Sequence, residues 1–208
     1  MTFYFDVISP YAYLAWTQIH AVAGERPVRP VPILFAGLLN HHGQKGPAEI
    51  PSKKAYVFKD VLRLAAGFGV PLRPPPTHPF NPLLALRVAG LEMEACTRRA
   101  LIDALFHAVW GEGSGVTDEQ VVGGLAADCG VPDAVERATS PEAKARLRSS
   151  TEQAIAEGVF GVPTAVVDGE LFWGCDSLGH LRRFLAGNDP IDAALVAQWV
   201  GLASGVER

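Results

Sequence analysis

Ser9 stands where a short aromatic run, Phe3-Tyr4-Phe5-Asp6, gives way to Pro10-Tyr11-Ala12-Tyr13-Leu14, the pattern of a strand passing into a helix. Serine is a favoured helix N-cap, and proline fits the first helical position, where no amide hydrogen is required. The open amides and the helix dipole at such a point favour an anion. A hydroxyl placed there can donate a hydrogen bond to a thiolate brought in by a bound molecule, lowering that thiol's pKa. Taken alone, Ser9-Pro10 reads first as an ordinary helix cap. A second group, Gly158-Val159-Phe160-Gly161-Val162-Pro163-Thr164, lies just before a predicted hairpin. The backbone of Val162, next to a cis-proline, would pair in strand fashion with a short peptide. A third, Phe172-Trp173-Gly174-Cys175-Asp176-Ser177-Leu178, ends at a helix start, where amides suit a carboxylate and Asp176 suits an ammonium. It too has the simpler reading of an N-cap.

The elements that would carry these groups follow from pattern. Residues 2–8 read as a strand, and Tyr11 to Val22 as a helix ended by Gly24. Val28 to Phe35 reads as a second strand whose Pro27, Pro30 and Pro32 suggest an edge. A strand-helix-strand unit of this size implies parallel pairing. Ala36 to Pro51 reads as a loop, Lys53 to Gly67 as a helix, and proline-dense Pro71 to Pro82 as irregular. Leu83 to Ala95 and Cys96 to Gly111 read as two helices split near Gly90. Thr117-Asp118-Glu119-Gln120 reads as a capping box opening a helix to Cys129. Short helix character over Pro132 to Thr139 precedes a helix capped by Ser140-Pro141 and running to Glu157. Strands over 164–167 and 170–173 flank Asp168-Gly169, a two-residue hairpin signal. A helix to Leu185 and a last one from near Pro190 complete the chain.

The order βαβ, helical block, ββα is that of an α/β thioredoxin-like fold with an all-helical insertion. Residues 1–51 and 158–208 would form the thioredoxin-like part, and 52–157 the helical insertion. In that order Ser9 occupies the place of a nucleophilic redox cysteine and Ala12 that of its partner. Val162-Pro163 falls where a cis-proline faces the first helix.

The 208 residues are 49% hydrophobic and 19% charged, with net charge −4, an ordinary globular composition with no electrostatic footprint for nucleic acid. No apolar run approaches the ~20 residues of a membrane helix. The N-terminus lacks the pattern of a secretory signal, so a cytoplasmic protein is expected. Cys96, Cys129 and Cys175 form no C-x-x-C pair, and His41-His42 has no accompanying ligand spacing. Neither a dithiol centre nor a metal site is expected.

Together, F-Y-F-D-V-I-S-P-Y-A-Y-L-A, G-V-F-G-V-P-T and F-W-G-C-D-S-L resemble the 2-hydroxychromene-2-carboxylate isomerase family, and the related kappa-class glutathione transferases, within the DsbA-like thioredoxin superfamily. The similarity runs over nearly the whole chain. It implies that Ser9 stabilises a glutathione thiolate, that Val162 binds the tripeptide backbone, and that Asp176 and Ser177 hold the γ-glutamyl end. Lys53 is similar to the family's lysine from the loop closing over glutathione, and Asn40 and Asn81 to its active-site asparagines. Tyr11, Tyr13 and Trp173 would wall the acceptor site, although each also suits the core. Cys175 stands where the family often has glutamine. The implied activity is glutathione-dependent cis–trans isomerisation of a small aromatic carboxylate from aromatic-compound degradation, by reversible thiolate addition, in a homodimer. A kappa-class transferase and a redox-inactive binding protein of thioredoxin fold are the alternatives.

Overall fold

The computed structural model describes residues 1–203 and 205. Four strands form one mixed sheet in the order β2-β1-β3-β4. β1 (Thr2–Phe5) pairs in parallel with β2 (Arg29–Pro32), matching Thr2 to Arg29 and Phe5 to Pro32. On its other side β1 runs antiparallel to β3 (Thr164–Val167), with Tyr4 opposite Thr164. β3 turns through Asp168-Gly169 into β4 (Glu170–Trp173). Both turn residues have positive φ, 52° and 87°, as the tightest hairpin turns require. β2 is the edge strand that its prolines foretold, and their missing N–H groups shorten it to four residues.

Alternation along β1 decides which helices lie on which side of the sheet. Phe3 and Phe5 point one way, stacked at 6.3 Å and packed on Trp16 of α1 (Pro10–Ala23) and Phe106 of α5 (Ala95–Phe106). Tyr4 points the other way, into a smaller cluster with Ile33, Leu38, Ala154, Val159 and Val162. The larger core continues without a break from Phe3 and Phe5 through α1 into α3 (Pro51–Phe68), α4 (Leu83–Ala89), α6 (Glu119–Asp128), α7 (Ala134–Thr139) and α8 (Pro141–Ala156). α9 (Leu178–Leu185) packs against α1. α10 (Ala193–Val200) follows, with Leu195, Trp199 and Val200 exposed.

Among the boundaries that differ from the sequence reading, three are informative. Phe35–His41, read as strand end and loop, is a helix, α2. Its signals are remote: the Asp6 carboxylate accepts from Phe35 N at 2.9 Å, and Thr151 Oγ1 accepts from Leu34 N at 3.0 Å. The first open amides of α2 are therefore satisfied by residues far along the chain, which no local pattern reveals. Second, the cap of α6 is Asp118, whose side chain accepts from Gln120 N at 2.7 Å, one residue beyond the expected Thr117. Third, the helix from Leu83 ends at Ala89 rather than reaching Ala95, and the helix that follows, Ala95–Phe106, opens at its end into a π turn over His107–Gly111.

Candidate functional site

Ser9 is the N-cap of α1, as its position before Pro10 implied. Its Oγ accepts from Ala12 N at 3.2 Å, and the side chain is nearly buried, with 8% exposure. Accepting that bond leaves the hydroxyl proton free to donate elsewhere. Pro10 has no N–H, and the N–H of Tyr11 meets no acceptor among the described residues. The positive end of α1 thus presents one hydroxyl proton and one amide, a small anion-binding set.

The loop before Ser9 is braced from four directions. Asp6, fully buried, accepts from Ile8 N at 3.0 Å with one carboxylate oxygen and from Phe35 N with the other. Ser9 N donates back to Asp6 O. Burial pushes the Asp6 carboxyl up to about 7, against the pull of its two backbone donors. The indole Nε1–H of Trp110 donates to Val7 O at 2.9 Å. His78 Nε2 lies 3.0 Å from Ile8 O, so the ring carries its proton there, since a carbonyl only accepts. Burial, with a smaller effect from Lys54, holds this imidazole below its ordinary pKa. His78 is joined to Pro79 by a cis peptide, and Lys54 Nζ donates to the His78 carbonyl at 3.1 Å. Asp6, His78, Trp110 and Lys54 were not among the expected site residues. An acid inside an aromatic strand was the one visible signal, and it pointed only to Asp6.

Val162–Pro163 is cis, and pairing places it beside that loop. Carrying the β1–β3 register one step past Tyr4 opposite Thr164 sets Pro163 level with Phe5, at the strand end that leads to Ser9. Neither main-chain polar group of Val162 makes a backbone hydrogen bond among the described residues. Pro163 O accepts from Gly174 N at 2.9 Å, which ties the third group to the second. Ser177 Oγ donates to Gly174 O at 2.8 Å, and the Asp176 carboxylate folds back towards Gly174, leaving Asp176 exposed. Gly174 itself has φ of 87°, and a Cβ there would collide with that carboxylate. Trp173 is half exposed, lies over Gly161 and meets Phe160 edge-on at 5.0 Å.

α3 closes the other flank. Tyr11 donates its hydroxyl to Asp60 at 2.8 Å, and burial followed by that carboxylate drives the phenol pKa upward. Cys175, buried in the turn before α9, is pushed up to about 12, first by burial and then by Asp176 and Asp60. It is a neutral thiol that packs as a small apolar group. Tyr13 is core, with its hydroxyl on Pro71 O at 2.8 Å. Lys53 is exposed on the first turn of α3, while its neighbour Lys54 makes the inward contact to His78. Asn81 is exposed and accepts from Leu83 N at 3.0 Å at the start of α4. Asn40 is exposed in the last turn of α2. The structure therefore ties the Val162–Pro163 turn to the Trp173–Ser177 segment through Pro163 O and Gly174 N, and packs the Cys175–Ser177 turn of that segment against α1, which Ser9 caps and which carries Tyr11. It shows no contact between these residues and Lys53, Asn40 or Asn81.

Two cavities stand out elsewhere, one of about 1050 Å³ along β2 and one of about 620 Å³ beside α6 and α7; neither includes Ser9. A peptide laid against free main-chain groups needs a cleft rather than a chamber. No helix among the described residues is long and apolar enough to cross a membrane.

Residues 1–186 match the family described as the DSBA-like thioredoxin domain. The chain is 33% identical over 193 residues to the 2-hydroxychromene-2-carboxylate isomerase of Sphingobium xenophagum, covering 88% of this chain and 96% of that one. It is 31% identical over 204 residues to glutathione S-transferase kappa 2 of Caenorhabditis elegans, covering 88% and 90%. A solved structure of a 2-hydroxychromene-2-carboxylate isomerase superposes with a TM-score of 0.83 at 27% identity, over 98% of both chains. A thioredoxin-type sheet with serine at the first helix and cis-proline opposite, matched over nearly its whole length, makes this chain a member of the DsbA-like thioredoxin family, similar to 2-hydroxychromene-2-carboxylate isomerases and kappa-class glutathione transferases.

Proposed function

We propose that this protein is a glutathione-dependent cis–trans isomerase acting on 2-hydroxychromene-2-carboxylate or a similar aromatic-degradation intermediate. The observation that carries the reading is the pairing of an open hydroxyl proton on Ser9, at the positive end of α1, with unpaired main-chain groups on Val162. Those groups fit a cysteinyl peptide: Val162 would bind its backbone, and the Asp176–Ser177 turn would hold its γ-glutamyl end. Bound there, glutathione would supply a thiolate that adds reversibly to a conjugated enone, leaving a single bond free to rotate.

The chain's own part is to keep that sulfur ionised and in place. Ser9 Oγ–H donates to it and the Tyr11 amide adds partial positive charge, both favouring the charged form. Asp6, Trp110 and His78 keep the loop from shifting, so the donor needs no reorganisation during the reaction. Trp173 and Phe160 offer a flat apolar wall to an aromatic substrate. Lys53, Asn40 and Asn81, all exposed here, would meet ligand only from the rim, and Lys53 would attract the substrate carboxylate. The resemblance also supports a homodimer.

The relatives favour one second reading, a transferase that makes the same thiolate and leaves it joined to an electrophile. Purified protein assayed with the chromene substrate and with a chlorinated aromatic electrophile separates the two. Turnover of the electrophile alone would replace isomerase by transferase. Ser9→Ala should raise the pKa of bound glutathione's thiol, followed by thiolate absorbance, and lower kcat by 10- to 1000-fold, about 1.4–4 kcal/mol. Unchanged absorbance and turnover would remove Ser9 from the chemistry. Absence of any glutathione affinity by calorimetry would leave the redox-inactive binding protein.

A further inference from the structure

The cavity of about 1050 Å³ along the edge strand is lined by Arg26, Arg29, Arg87, Arg98, Arg99 and Arg146. Six of the chain's 18 basic side chains thus converge where Glu92 is the one acid in the wall, although the chain as a whole carries −4. Protein partners absorb only part of this charge. Arg26 pairs with Asp168 at 3.1 Å and Arg146 with Glu92 at 2.8 Å, while Arg29 and Arg98 hold neutral oxygens. Arg87 and Arg99 make no side-chain hydrogen bond among the described residues.

Unmet hydrogen-bonding capacity gathers in the same place. Three buried side-chain nitrogens among the described residues lack a partner, and two of them, Arg87 Nε and His20 Nε2, belong to residues of this cavity. Unpaired buried nitrogens of this kind are costly. The uncapped start of α5, at Ala95 and Cys96, lies in the wall as well and adds open amides. Like charges press on one another here: Arg98 is held below its ordinary pKa by burial and then by Arg146. An anion would relieve that repulsion. Val28, Val31 and Leu86 give the cavity an apolar side, and guanidinium planes both fork onto carboxylates and stack on rings.

We propose that this cavity binds a small aromatic compound carrying more than one carboxylate, held by Arg87, Arg98, Arg99 and Arg146 and separate from the Ser9 cleft. The test is calorimetry of the whole protein at low salt with phthalate and with inorganic phosphate. Saturable one-site binding of phthalate is expected, tighter than phosphate, weakened at least about tenfold by Arg99→Gln and by Arg87→Gln, and unaffected by Ser9→Ala. Arg99 is exposed and makes no internal hydrogen bond, so Arg99→Gln should fold normally, which circular dichroism checks. Four results would each overturn the proposal: no phthalate binding, equal binding of phosphate, binding kept in both arginine variants, or binding lost with Ser9→Ala.

Discussion

Asp6 lets the stability of the Ser9 loop be read from outside by pH. Its carboxyl is fully buried and pushed up to about 7, against an ordinary 3.8. At about 1.4 kcal/mol for each pH unit, that difference corresponds to about 4 kcal/mol. The sign follows from proton uptake. Between pH 3.8 and about 7 the folded chain keeps a proton that the unfolded chain has released, so folding loses ground as pH rises. The penalty is absent below the unfolded pKa and complete above the folded one. His20 and His78, both held below their ordinary range first by burial, work in the opposite sense and must be cancelled. Comparing wild type with Asp6→Asn does so. The asparagine cannot ionise, and its single carbonyl can accept from only one of Ile8 N and Phe35 N, a loss of about 1–3 kcal/mol at every pH. Urea unfolding of both proteins from pH 5 to pH 8 should therefore show the gap between them moving by about 3 kcal/mol in favour of the variant. A gap that moves by less than about 1 kcal/mol would refute the account, because Asp6 would then titrate near its ordinary value and burial would not outweigh its two backbone donors.

Two further outcomes are expected. Thiol labelling of the folded protein at neutral pH should mark exposed Cys96 and spare Cys175, whose thiol is buried and pushed up to about 12; rapid modification of Cys175 would show that the turn before α9 opens readily. Gly161→Ala would place a methyl group against the Trp173 indole, so the ring should swing off the cis-proline turn at a cost of about 1–3 kcal/mol, seen as a red shift in tryptophan emission; unchanged emission and stability would mean that Trp173 does not rest on Gly161.

Much of the frame was legible because its signals are local. Ser9-Pro10 and Ser140-Pro141 satisfy the first amides of their own helices, with Oγ accepting from the residue three positions on. Asp168-Gly169 supplies the backbone that a two-residue hairpin demands. Alternation in Phe3-Tyr4-Phe5 divides two cores without reference to anything else in the chain. What the sequence could not disclose depends on partners distant along it. α2 starts where Asp6 and Thr151 reach its amides, and Lys54 rather than Lys53 turns inward because the His78 carbonyl is there to meet it. The arginines of the β2 cavity come from β2, α4, α5 and α8 and the turn before β2, none of which carries more than one net positive charge alone. A cap or a turn is fixed within four residues, whereas burial, which sets the Asp6 proton and the charge of that cavity, exists only once the whole chain has closed around it.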